Sequence, residues 1–172
     1  MPPPSQQLQS VIDAFGRQGW HCDLVDGREV IQTAFEAHHT KVRLIAQAFP
    51  QINALSVVAE TPLPLDAAHL ASGVELLMRA NKQLTLGSFE YDFDRAQLIF
   101  RLTNLFEREK FDADIISSMV HCAISEIDRL TPLASTVAAT APDLLDDLSI
   151  PLLLEREDLI PPVPGDEEEE EL

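Results

Sequence analysis

Apolar positions along this chain switch between two spacings, and the switches divide it into elements. Leu8, Val11, Ile12 and Phe15 recur three and four residues apart, the spacing of one helix face. Ser5 suits the N-cap of that helix, which should end near Arg17 with Gly16 and Gly19 behind it. After Trp20 and Leu24, Asp26 and Gly27 give a hairpin-type turn signal. Three segments then alternate with period two. In 30–38, Ile31, Thr33, Phe35 and Ala37 share one face, with Gln32, Ala34, Glu36 and His38 opposite. In 41–49, Val42, Leu44, Ala46 and Ala48 point inward. In 53–60, Leu55, Val57 and Ala59 do the same. Such alternation predicts an antiparallel meander covered on one side only.

Pro62 and Pro64 break the strands, and Asp66 opens a predicted helix to about Lys82. Leu70, Val74, Leu77, Met78 and Asn81 make its expected stripe. Alternation returns after Gly87, with Phe89, Tyr91 and Phe93 on one face and Glu90, Asp92 and Asp94 on the other. A turn at Asp94 and Arg95 leads to an answering strand through Leu98, Phe100 and Leu102. Asp112 is the expected N-cap of a last helix carrying Ile116, Met119, Val120, Ala123, Ile127 and Leu130. It should reach Pro132 and resume over 133–139. The predicted order is α-β-β-β-α-β-β-α. Grouped strands and helices favour an α+β fold, an antiparallel sheet with helices packed on one face.

The domain is expected to span 1–141, followed by a proline-rich acidic tail over 142–172. Residues 143–172 hold 12 acids and one base, so −11 of the net charge of −17 lies there and the body carries −6. The solid run from Asp166 to Glu171 is of a kind that stays solvated and disordered. Within the tail, Ile150, Leu152, Leu153, Leu154, Leu159 and Ile160 form an aliphatic segment. It has two readings: it folds back on its own domain, or it docks into a partner by strand addition or groove insertion.

Charge of this sign disfavours nucleic acid and anionic membranes as partners. No stretch approaches the roughly 18 apolar residues of a membrane span. The start of the chain has neither a basic nor an apolar signal-like region, so a cytoplasmic location with reduced Cys22 and Cys122 is expected.

Candidate chemistry is sparse. His38 and His39 are adjacent strand residues pointing to opposite faces, which argues against a shared metal ion. No His-x-x-x-His or Cys-x-x-Cys spacing occurs. His21-Cys22 and His121-Cys122 are matched dipeptides, and a small enzyme or metal-binding protein using these four residues is the alternative reading. Neither cysteine has a glycine-rich or helix-start setting to activate it. Asp92 and Asp94 fit a wet strand face, and Asp112 and Asp114 fit helix capping. No catalytic residue, metal or cofactor is expected.

The chain resembles the YbjN-like family, whose domain shares its fold with type III secretion chaperones. The resemblance rests on the element order across about 5–138, on Leu77-Met78-Arg79-Ala80-Asn81 ending the second helix, and on Gly87-Ser88-Phe89-Glu90-Tyr91-Asp92 opening the next strand. It implies a non-catalytic, chaperone-like or regulatory domain. Such a domain would be homodimeric and would hold a partner polypeptide.

Overall fold

A computed structural model describes residues 3–160; the acidic run at 166–171 and the prolines at 161, 162 and 164 lie outside them. The element order is α1 (Gln6–Gln18), β1 (Asp23–Leu24), β2 (Val30–Glu36), β3 (Lys41–Phe49), β4 (Ala54–Pro62), α2 (Leu70–Asn81), β5 (Ser88–Asp92), β6 (Gln97–Leu105) and α3 (Ala113–Ala139). A short α4 (Ile150–Leu154) follows. Six strands form one antiparallel sheet in the order β1-β2-β3-β4-β6-β5. The expected fold class and order hold, with a two-residue β1 added ahead of the meander.

Local chemistry sets these boundaries. Ser5 caps α1, its hydroxyl oxygen accepting the Leu8 N–H, and Gly19 closes the helix in the left-handed region at φ 72°. Asp112 caps α3 by accepting the N–H groups of Asp114 and Ile115. The inward side chains of β3 and β4, Val42, Leu44, Ala46, Ala48, Leu55, Val57 and Ala59, are all buried. They share one core with Leu8, Val11 and Phe15 of α1, Leu76 and Leu77 of α2, and Ile116, Val120, Ala123 and Ile127 of α3. Burying each large aliphatic contributes roughly 1.5–3 kcal/mol, which is why alternation on strands and 3.6-residue spacing on helices decide this fold.

Three expectations need correction. The buried face of α2 is Gly73, Leu76, Leu77 and Ala80, while Met78 is 62% exposed. Two small residues, Gly73 and Ala80, face inward beside the two leucines. At Gly73 an added Cβ would stand 2.4 Å from Leu65 Cδ1. Phe93 is not a strand residue; it is 65% exposed in the turn. That turn starts early because the Asp92 carboxylate accepts the N–H groups of Asp94 and Arg95. Finally, α3 runs unbroken through Pro132. Ile127 and Leu130 before it, and Leu133, Ala134 and Val137 after it, continue one buried stripe. Packing there outweighs the missing N–H.

The face turned away from the helices is less wet than its pattern suggests. On β4 it carries Ala54, Ser56 and Glu60, all buried. Glu60, 3% exposed, takes hydrogen bonds from Arg43 Nη1 (2.6 Å) and from Arg95 Nη2 and Nη1 (2.7 and 3.2 Å). Burial alone would push its carboxyl up, but the hydrogen bonds and charge of Arg95 and Arg43 outweigh this and hold it below its usual range. A depressed carboxylate contributes stability above its unfolded pKa, lost as pH falls through the folded value. Glu60→Gln is expected to cost about 1–2 kcal/mol near neutrality and to flatten the acid limb of stability. Urea titrations of both proteins at pH 3 to 7 measure it; parallel acid limbs would show that Glu60 contributes nothing to that slope.

Candidate functional site

The two strands of the β5–β6 hairpin differ in length, and the difference creates an opening. β5 pairs only with 97–101, from Asp92 opposite Gln97 to Ser88 opposite Arg101. β4 pairs with all of β6, from Pro62 opposite Gln97 to Ala54 opposite Leu105. Leu102 to Leu105 therefore have a strand neighbour on one side only. The Phe106 N–H donates to Asn53 O and the Leu63 N–H to Ala96 O, both across the β4 side. Period-two alternation between these fixed points turns the backbone groups of Leu102 and Asn104 toward β4. Those of Thr103 and Leu105 face the opening.

Beneath the opening lies a groove of about 300 Å³ between β6, α3 and the loop before β5. Leu86, Leu102, Ile115, Met119 and Cys122 give it an apolar lining, with Asp114 at its rim. Leu86 and Ile115 are 61% and 43% exposed. A larger cleft of about 610 Å³ continues between α1 and the segment leading into α3, where Arg17, Arg108 and Lys110 stand among Asp13, Glu107 and Asp112.

The outer edge of β5 is closed by contrast. Asn81, the last residue of α2, donates from Nδ2 to Phe89 O (3.0 Å) and accepts the Phe89 N–H at Oδ1 (2.6 Å). One carboxamide thus satisfies both edge groups of Phe89, as a neighbouring strand would. At Gly87 (φ 72°) the chain turns away from β6 so closely that an added Cβ would lie 2.7 Å from Arg101 O. These two residues end one edge and leave the next exposed.

The apolar tail residues stand elsewhere. Ile150 and Leu153 are buried in the domain's own core, and Leu154, Leu159 and Ile160 are partly buried against it. Leu152 is 62% exposed. Within the segment, α4 packs along α2.

Of His21, Cys22, His121 and Cys122, the structure sets His121 and Cys122 on different cavities. His121 packs its ring on Trp20 at 5.2 Å between centroids. Cys122 lines the apolar groove, while Cys22 is half-buried against the core beside β1. Burial pushes both thiols up, aided by the charge of Asp23 at Cys22 and Glu126 at Cys122. A raised thiol offers less thiolate, the form a nucleophile needs. Among the described residues no group of three His, Cys, Asp or Glu is placed to hold a metal ion. His39 instead turns its Nδ1 and backbone N–H onto the Asp128 carboxylate (2.9 and 2.7 Å).

The opening on β6 escaped the sequence reading, although a signal was present. Strand-like alternation extends through Leu102, while Gly87 stops the partner strand at the residue opposite Arg101.

No protein-family model matches the chain, and no curated protein matches it. Solved structures do. YbjN from E. coli superposes with a TM-score of 0.50 at 11% identity, over 76% of this chain and 87% of that one. A chain of the ExsC–ExsE complex superposes with a TM-score of 0.53 at 12% identity, over 82% of this chain and 100% of that one. A chain of the HopA1–SchA chaperone–effector complex gives 0.44 at 12% identity, over 71% and 89%. The chain shares its fold with YbjN and with the chain of the ExsC–ExsE complex.

Proposed function

We propose that this chain is a non-catalytic, chaperone-like protein-binding domain, and that it holds an extended segment of a partner as an added strand on the open part of β6. The carrying observation is the four-residue stretch Leu102–Leu105, unpaired on one side and set over an apolar groove. Thr103 and Leu105 would supply N–H and C=O groups to the incoming backbone. The groove would take alternate side chains of the guest, so apolar residues two apart are the preferred pattern. That the ExsC–ExsE structure is a complex of two proteins supports this reading of the shared fold.

Thr103→Pro tests the reading, at the added loss of the Thr103 hydroxyl's bond to Ser56 Oγ (3.1 Å). It removes an N–H that faces the opening and leaves the β4 ladder intact, so the folded protein should lose no more than about 2 kcal/mol. Peptides with alternating valine or leucine should perturb the amide signals of 102–105 in the native protein and bind at least tenfold more weakly to the variant. Equal binding to both proteins, or perturbation confined to another surface, would overturn strand addition at β6. The same variant decides between occupants. If sedimentation shows a native dimer that becomes a monomer in Thr103→Pro, the guest strand belongs to a second copy.

A further inference from the structure

His69 is held between two acceptors. Its Nδ1 meets the Asp66 carboxylate at 2.6 Å and its Nε2 meets the backbone carbonyl of Thr140 at 2.7 Å. A carbonyl and a carboxylate can only accept, so both contacts are hydrogen bonds only when both ring nitrogens carry protons. The residue is 7% exposed, so water does not readily replace a lost partner.

The position of these partners matters more than their number. Asp66 begins the turn into α2, accepting the N–H groups of Ala68 and His69. Thr140 is the C-cap of α3 and the root of the segment 142–160. Within that segment α4 packs on α2, Ile150 and Leu153 are buried, and Leu154, Leu159 and Ile160 are partly buried against the core. It is a strap anchored by apolar contacts along its length and by His69 at its origin.

We propose that doubly protonated His69 is a clasp at the root of the 142–160 strap, so that the strap lifts from α2 more readily as pH rises. The charge facing the ring is that of Asp66, from the turn before α2. From α3 comes the negative end of a 27-residue helix, which also favours a cation. From the strap, Asp143 is exposed and makes neither a hydrogen bond nor an ion pair with the ring, while on α2 Glu75 and Arg79 are paired with each other at 2.6 Å. The hydrogen bonds from Asp66 and Thr140 raise His69 above its ordinary value, against desolvation, and Asp66 is lowered in turn. A histidine raised on folding contributes below its unfolded pKa, near 6.5, and that contribution is lost as pH rises through the folded value. The neutral ring keeps one proton and must give up one of its two partners.

Hydrogen exchange on the full chain from pH 5.5 to 9, expressed as protection relative to intrinsic rates, tests the clasp. Protection at Leu152–Arg156 should fall several-fold across the titration of His69, while β3 and β4 amides stay constant. In His69→Gln, which can still donate to Thr140 O, strap protection should be independent of pH. Asp66→Asn should move the fall to lower pH. Ring nitrogen chemical shifts of the native protein give a reading that no variant's misfolding can obscure, and there the imidazolium should persist above pH 6.5. A ring already neutral at that pH, or a strap whose protection in His69→Gln still follows pH, would overturn the proposal.

Discussion

Gly87→Ala is expected to destabilise the protein by about 2–4 kcal/mol, read as a lower urea midpoint with an unchanged slope. Two costs combine. The residue sits at φ 72°, where a side chain is strained, and its Cβ would fall 2.5 Å from Phe100 Cζ and 2.7 Å from Arg101 O. The ring could tilt aside, but the carbonyl belongs to the ladder and cannot. Phe100 is fully buried and packs edge-on against Phe89 at 5.1 Å, so any shift passes into the hairpin core. A loss below about 0.5 kcal/mol would mean that the β5–β6 hairpin is more pliant than its packing implies.

Asn81→Ala should be nearly as damaging, at about 2–3 kcal/mol, because one truncation abandons two backbone groups of a buried residue. Phe89 is 3% exposed, and its N–H and C=O both end on the Asn81 carboxamide. Asn81→Asp separates the two bonds, since a carboxylate can accept the N–H but cannot donate to the carbonyl. Because Asn81 and Gly87 both set the path of one five-residue strand, their double variant should lose less than the sum of the single losses. Strict additivity in urea denaturation would argue that the residues act separately.

These two positions show how far the sequence could be read. The Leu77–Asn81 ending and the Gly87–Asp92 opening were visible as motifs, and so was the alternation that sets β3, β4 and β6. What no pattern announces is that the two motifs bond to each other, because their link runs from a side-chain amide to a backbone eight residues on. The same limit explains the stripe of α2. Apolar spacing ranks Met78 above Ala80, yet the close approach of Leu65 at Gly73 sets Gly73 and Ala80 inward with Leu76 and Leu77 and leaves Met78 outside. Proline at 132 reads as a stop, and only the buried contacts on both sides of it reveal a continuous helix. Histidines are the least legible. The strand expected over 30–38 ends at Glu36, so His38 and His39 lie in the bend beyond it and no strand period governs them; the partners of two histidines lie far off in sequence, at Asp128 for His39 and at Thr140 for His69.

A ladder left unfinished at one margin would, in a neutral protein, invite stacking of like chains into sheets without end. Here a formal net charge of −17 opposes such unlimited stacking at neutral pH. That barrier is colloidal, and it vanishes near the isoelectric point of about 4.4. Acidification would therefore remove the guard from the open margin of β6, and turbidity would be its first outward sign.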